Sequence, residues 1–311
     1  MALFSKIYQS KADVSLPRRG VVEFIGLLLA ALVLGPPGFS QDPSGSAKSD
    51  DLFDRVIANQ KQVDSNLDIY ERQERTEFRK TGSDKNPSEV KVWRVFPAGT
   101  GTDKIALGAD GQPANVNTYR EELTKLERQL VWAAQQGAAQ QEAYAKAERK
   151  RKERNELINT THQAFLFNLA GHEQRGGRNL AKYTMVPNPK YKPTTRNATL
   201  FTKVAGTLWI DEESSELAKI EGHVMEDITL GLFVAKVYKG SYFMQERYEI
   251  APGIWLPTYQ QYDFDGRKFL IPFAIHERSF YTKYRRVGPP KEAVEVVRAE
   301  LDKGGVERSD P

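Results

Sequence analysis

The side chains best suited to bind a metal ion or to move a proton are the chain's four histidines. None has the paired spacing, such as His-Glu-x-x-His, that places two ligands on one helix face. The chain has no cysteine, so thiolate ligands, thiol chemistry and a disulfide framework are excluded. The sequence therefore predicts no metal site, no cofactor and no catalytic residue around His162, His172, His223 or His276.

One acidic segment begins like a calcium-binding loop. Asp263-Phe264-Asp265-Gly266 has the right order of carboxylates and glycine, but the twelfth loop position falls on Ala274, which has no carboxylate. We therefore predict a hairpin turn at this segment. Serine-nucleophile, phosphate-loop and dinucleotide motifs are also missing, and we predict that the protein is not an enzyme.

Four consecutive cationic residues, Arg149 to Lys152, are typical of a solvated helix face. They also suit anionic lipid headgroups or a protein partner. Nucleic acid is not favoured, because the net charge of the 311-residue chain is only +4, and +2 without residues 1–40.

The N-terminus has the pattern of an export signal. Basic residues precede the apolar run 24–34, and small residues follow it up to Ser40, which is typical of a secretory signal peptide. The run is shorter than the roughly 20 residues of a membrane span. We expect export to the periplasm, with an uncleaved anchor as the alternative.

The elements that position these residues begin with a short amphipathic helix over 51–63. Strands are predicted at 67–78, 89–96 and 104–107, where β-branched and aromatic residues lie between turn signals. The capping box Thr118-x-x-Glu121 then predicts a long helix. Residues 135–154 of this helix offer little to bury. Its first half carries an apolar stripe that is expected to be buried: Leu123, Leu126, Leu130 and Ala133.

Three turn signals recur at intervals of 13 positions in the second half: Lys239-Gly240, Pro252-Gly253 and Asp265-Gly266. Glycine at the second loop position accepts the positive φ of a tight turn, and the runs between the turns suit strands. An open sheet built from strands of about ten residues must curl or be covered by other elements. We predict an α+β fold, with a curved antiparallel meander sheet (a half-open barrel) covered by helices on its concave side.

Two-residue loops at these turns would divide the strands into two faces. The more apolar face is predicted to be the interior and to bind a ligand: Phe233, Val237, Tyr242, Met244, Tyr248, Trp255, Tyr259 and Leu270. The other face would carry Gln245, Arg247 and Gln260 among Phe243, Leu256 and Tyr262. Phe269, Ile271, Phe273 and Ile275 do not fit this register, which indicates a bulge or a longer third loop. A solid aromatic core is the alternative to a ligand cavity.

The segment Gly206-Thr207-Leu208-Trp209-Ile210-Asp211, together with 228–241 and 254–257, resembles periplasmic outer-membrane lipoprotein-sorting proteins of the LolA/LolB-like group. The resemblance extends more loosely over 51–286. It implies a half-open barrel with helices in its concave side, which carries or senses the acyl chains of lipoproteins and has no catalytic residues.

These observations favour a periplasmic, non-enzymatic carrier or sensor that binds lipid or a lipoprotein acyl chain in an apolar cavity, with peripheral membrane contact. The alternative is an envelope protein–protein interaction module that uses the charged central helix. The predicted organisation is a signal peptide, a linker, a LolA-like domain with a helical insertion at 117–154, and a C-terminal tail, at residues 1–40, 41–50, 51–286 and 287–311.

Overall fold

The computed structural model describes residues 46–135, 137–195, 198–230 and 235–306. Its helices are α1 (Ser46–Leu67), α2 (Val116–Ala133), α3 (Ala138–Ala164) and α4 (Pro290–Val306), with a 3-10 helix at Ala198–Lys203. The strands of the first half are β1 (Tyr70–Phe78), β2 (Glu89–Pro97), β3 (Thr102–Leu107), β4 (Phe165–Arg175) and β5 (Arg178–Pro187). Those of the second half are β6 (Val204–Asp211), β7 (Glu216–Val224), β8 (Ile228–Leu230), β9 (Ala235–Val237), β10 (Tyr242–Ala251), β11 (Ile254–Lys268) and β12 (Ile271–Arg286).

All 12 described strands form one antiparallel sheet, in the order β3-β2-β1-β12-β11-β10-β7-β6-β5-β4. The short β8–β9 hairpin is attached to β11. The end strands β3 and β4 do not pair with each other, so the sheet stays open. This confirms the predicted α+β fold with a half-open antiparallel sheet.

Helix α1 covers the interior face of the sheet. Its residues Phe53 and Val56 pack with Leu208, Ile220 and Phe243 from the strands. The apolar residues predicted for this helix are all buried: Leu52, Phe53, Val56, Ile57 and Val63. The helix begins at Ser46, inside the predicted linker 41–50, and the first five linker residues lie outside the described part of the chain.

Helices α2 and α4 pack on the opposite face at the β1–β3 end. Strand register places Glu71, Arg94 and Ile105 on that face, opposite to Tyr70, which packs with Val63 of α1. The predicted stripe of α2 is buried there against α4 in one apolar cluster: Leu123, Leu126 and Leu130 with Ala293, Val294 and Val297. Part of the predicted tail 287–311 is therefore a packed helix.

Arg94 joins α2 and α4 to the sheet. Its guanidinium donates to Glu71 at 2.7 Å and to Glu300 of α4 at 2.9 Å. Tyr119 of α2 donates to the same Glu300 carboxylate at 2.9 Å. Because Arg94 and Glu71 are largely buried, this network is screened less by solvent than a surface ion pair.

The predicted long helix is in fact two helices, α2 and α3. Asn115, rather than Thr118, is the N-cap of α2, since its side chain accepts a hydrogen bond from the Thr118 N–H at 3.0 Å. The helix stops after Ala133, and Gly137 is the N-cap of α3. Glycine weakens a continuous helix by about 1 kcal/mol relative to alanine, which favours a break here.

Turns are present at two of the three predicted positions, with positive φ at Gly240 and Gly253. Only the turn at Gly253 joins paired strands, because β9, before Gly240, pairs with β8 and β11 and not with β10.

The third predicted turn is wrong, because β11 continues through Gly266 and the chain turns later, at Phe269, whose φ is +54°. A Cβ on Gly266 would lie 2.6 Å from the Phe273 ring and 2.2 Å from the Lys236 carbonyl oxygen. Glycine is needed at this position for close approach of neighbouring strands. Phe273 and Ile275 lie opposite Gly266 and Phe264, on the buried face, so their apolar side chains fit the sheet once that face is the interior.

Glycine is also required below Phe243, a fully buried ring of the interior. A Cβ on Gly222 would lie 2.4 Å from that ring. We expect Gly222→Ala to lower the free energy of unfolding by about 1–3 kcal/mol, as overpacking does in other cores. Urea unfolding followed by circular dichroism measures this.

Gly101→Ala is the matched control, because a Cβ there meets no atom within 4 Å. Its free energy of unfolding should change by less than about 1 kcal/mol. Equal losses in the two variants would contradict the packing role of Gly222.

Candidate ligand-binding site

The interior of the sheet is the face that the sequence analysis placed outside. Phe243, Leu256 and Tyr262 are buried there. In register, Tyr242 lies opposite Asp263 and Met244 lies opposite Gln261, and these pairs project from the other face. The choice of interior face was therefore wrong, although the residues predicted for each face of β10 and β11 were grouped correctly, because the face with more aromatic residues is not the buried one.

Three more predicted site residues lie on the outer face. Trp255 is buried under Arg178, whose guanidinium carbon is 5.0 Å from the ring centre. Tyr248 accepts a hydrogen bond from Arg175 at 2.7 Å. Tyr259 packs against the Phe280 ring at 5.1 Å. Each of these aromatic side chains already contacts another side chain of the protein.

The remaining predicted residues belong to the end of the sheet where β11 turns into β12. Val237 is buried in the interior core, opposite Gly266. Leu270 is the most exposed large apolar side chain described, at 87%. Phe233 lies outside the described residues. The structure therefore brings Val237 and Leu270 to one end and separates them from the outer-face set, and ligand contact by any of these residues remains a prediction.

An apolar pocket of about 460 Å³ opens at this same end. That volume lies within the range of small-molecule sites, about 300–1,000 Å³. Its described lining is a single stretch of chain around the β11–β12 turn: Lys268, Phe269, Ile271, Pro272, Phe273, Ala274 and Ile275. Ile275 is buried and belongs to the interior core, so the pocket leads from the surface to that core.

The interior becomes more polar with distance from this pocket. Phe264 and Ile275 lie near its base, whereas further along the strands Tyr262 and Tyr281 donate to Gln260 at 3.2 and 2.7 Å. A hydrogen bond of 2.8 Å joins Thr76 to Ser279 at the same level. An apolar ligand would therefore be favoured only at the pocket end.

A buried cation lies beyond this polar region. Arg247 is 4% exposed and donates to Gln245 at 3.0 and 2.6 Å and to Gln60 of α1. Because these amide oxygens satisfy the guanidinium, a residue that looks like a surface cation in the sequence is stable inside. No apolar periodicity could have revealed this contact, since it depends on α1 lying over β10.

The histidines do not converge on a site. His276 lies 3.1 Å from Asp263 on the outer face, and His223 is separated from it in register by β10 and β11. Burial lowers the pKa of His162 in α3 to about 3, so this ring is neutral. Among the described residues, no group of three or more His, Asp or Glu side chains is placed to hold a metal ion.

The basic run of α3 is mostly exposed. Arg151 pairs with Asp68, next to the end of α1, whereas Arg149, Lys150 and Lys152 face solvent.

Within the described ranges, no helix is both long and apolar enough to cross a bilayer.

No protein-family model matches the chain, and no curated protein matches it. Matches to the chain are found among solved structures. A LolA superfamily protein from Nitrosomonas europaea matches with 11% identity and a TM-score of 0.31, over 78% of this chain and 96% of the other. A domain described as an outer membrane lipoprotein-sorting protein, from Vibrio parahaemolyticus, matches with 9% identity and a TM-score of 0.32, over 79% and 99% of the two chains.

A DUF1329 family protein from Desulfovibrio piger also matches, with 11% identity and a TM-score of 0.23, over 75% of this chain and 93% of the other. The first two descriptions agree with the resemblance found in the sequence. At these identities and TM-scores, no fold detail, residue or activity is carried over from these structures.

One buried acid makes stability depend on pH. Burial, with a smaller contribution from Asp211, raises the pKa of Glu216 to about 7, although Arg247 opposes this rise. The folded state therefore holds its proton more tightly than the unfolded state, whose glutamate has a pKa of 4.5. The resulting stabilisation is complete below about pH 4.5 and is lost as pH rises to about 7.

We expect Glu216→Gln to remove this pH dependence and to raise the free energy of unfolding at pH 8 by about 1–3 kcal/mol relative to the wild type. Urea unfolding at pH 5, 6, 7 and 8 measures it. The control is Glu213→Gln, an exposed acid on the same turn. If the wild type and Glu216→Gln show the same slope between pH 5 and 7, Glu216 does not titrate as described.

Proposed function

We propose that this protein is a periplasmic, non-enzymatic carrier or sensor, and that it binds an acyl chain of a lipid or lipoprotein in the pocket at the β11–β12 end. The observation that supports this most directly is the pocket itself, whose described lining is apolar except for Lys268. The export pattern of residues 1–40 supports the periplasmic location.

The energetics of the pocket suit an acyl chain. Each buried methylene group contributes about 0.8 kcal/mol, so a chain that buries about ten groups gains roughly 8 kcal/mol before the cost of association. A net gain of that size would correspond to a dissociation constant on the order of micromolar, so the cost of association makes micromolar the tightest affinity that ten buried groups support. A carrier needs such intermediate affinity, because it must also release its ligand.

The polarity of the interior sets the direction of entry. The side chains around Gln260 and Arg247 would lose hydrogen bonds if a hydrocarbon displaced them, which costs free energy. The chain end of the ligand is therefore expected to reach Ile275 and stop before this polar region. Its headgroup would remain at the surface near Lys268, the one charged side chain in the described lining.

Ile271 offers a test that leaves the fold intact, because it lines the pocket yet is 72% exposed. We expect Ile271→Glu to weaken binding of a dansyl-labelled fatty acid by about tenfold or more, since a carboxylate would face the apolar ligand. Fluorescence titration without membranes measures the dissociation constant.

Leu270→Glu is the matched control for this titration. It introduces the same charge next to Ile271, but Leu270 is not part of the pocket lining. Its affinity should stay within about twofold of the wild type, a difference well below 1 kcal/mol. Absence of fatty-acid uptake by the wild-type protein, or equal weakening in both variants, would rule out acyl-chain binding in this pocket.

A further inference from the structure

The turn between β11 and β12 exposes three adjacent large apolar side chains. We define the hairpin tip as Arg267–Pro272. Within it, Phe269, Leu270 and Ile271 are 62%, 87% and 72% exposed. The other large apolar side chains that are exposed in the described ranges are separated from one another in sequence. Clustered exposure of this kind marks a contact surface, whereas single exposed residues are ordinary.

The hairpin tip extends beyond its neighbour on one side. Strand β1 ends at Phe78, which lies opposite Glu277. The Arg79 N–H still donates to the His276 carbonyl at 2.9 Å, so residues 271–275 of β12 continue past this edge, by roughly 17 Å at the usual rise of a strand. On the other side β9 supports β11 only as far as Lys268. The tip therefore extends past the described part of both neighbouring strands.

The backbone of the tip is unusual for its sequence. Phe269 has a φ of +54°, in the left-handed region where glycine or asparagine is favoured. This conformation costs a bulky aromatic residue free energy, and a residue that is 62% exposed recovers little of it through burial. This conformation and exposure favour a contact between the Phe269 ring and another molecule.

The charges beside the apolar residues are positive. Arg267 and Lys268 precede Phe269, and in the described part of the chain neither forms an ion pair. Lys236, which lies opposite Arg267 in β9, is neutralised by Asp227 at 2.7 Å. Long cationic side chains next to an apolar segment can reach lipid phosphates while the apolar residues enter the hydrocarbon boundary.

We propose that the hairpin tip docks into the surface of a lipid bilayer that contains anionic lipids, with Phe269, Leu270 and Ile271 inserted and Arg267 and Lys268 at the headgroups. This inference rests on the proposed function, because docking would place the pocket mouth against the layer that supplies or receives the acyl chain. A membrane suits the tip better than a protein groove, since a turn flanked by unpaired cations matches a negatively charged surface.

The absence of cysteine allows a direct test on the full chain. Leu270→Cys carries an environment-sensitive nitrobenzoxadiazole label at the tip, and Val116→Cys carries it at a site of similar exposure, 69%, at the start of α2. Each labelled protein is mixed with vesicles of phosphatidylcholine alone or with phosphatidylglycerol added. The fluorescence at position 270 should rise several-fold on anionic vesicles and little at position 116.

One further variant, a double substitution, tests the contacts in the background labelled at position 270. Arg267→Gln with Lys268→Gln should weaken binding to anionic vesicles about tenfold and remove its salt dependence. Unchanged fluorescence at position 270 on all vesicles, or equal rises at positions 270 and 116, would overturn the inference. A rise that depends on protein concentration without vesicles would also overturn it, and would indicate association of two copies.

Fatty-acid titration without membranes separates this inference from the proposed function. If labelled fatty acid binds but the tip does not respond to vesicles, docking is wrong and the pocket assignment stands. If the tip responds but no fatty acid binds, docking stands as a property of the hairpin and the acyl-chain assignment is wrong.

Discussion

The structure depends on β12 pairing along both of its edges. This strand bonds to β11 from Tyr259↔Phe280 to Lys268↔Ile271 and to β1 from Tyr70↔Arg286 to Phe78↔Glu277. Without the second pairing, the β1–β3 group with α2 and α4 would be detached from the rest of the sheet. The same strand is longer than β1, and the excess length forms one side of the hairpin tip. The length of β12 therefore both keeps the sheet continuous and leaves its apolar turn exposed.

Much of the fold could be predicted from local patterns. The apolar spacing of α1 and the stripe of α2 identified the residues that are buried, and the glycine turns at Gly240 and Gly253 were correct. The third turn was misplaced for a physical reason, because glycine has two uses. At Gly253 it permits a positive φ, whereas at Gly266 it makes room for the Phe273 ring, and sequence spacing does not distinguish these uses.

The interior could not be identified by hydrophobicity either. Arg247 and Gln245 lie inside because each satisfies the other and Gln60 of α1 completes the set. Conversely, Trp255 and Tyr248 lie on the outer face, covered or bonded by Arg178 and Arg175. Cations that pack over aromatic rings make the outer face resemble an apolar face in composition. The pocket lies at a turn around Phe269. A prediction that placed the turn at Asp265-Gly266 could therefore not locate it.

The network around Arg94 has a consequence for biosynthesis. Its partner Glu300 is 206 positions away in the chain, and β1 must likewise wait for β12. A nascent chain therefore cannot complete its native contacts until nearly all of it has been made, and closing such distant contacts is slow. Until β12 has been made, β1 presents an unpaired strand edge, which is a template for pairing with other chains.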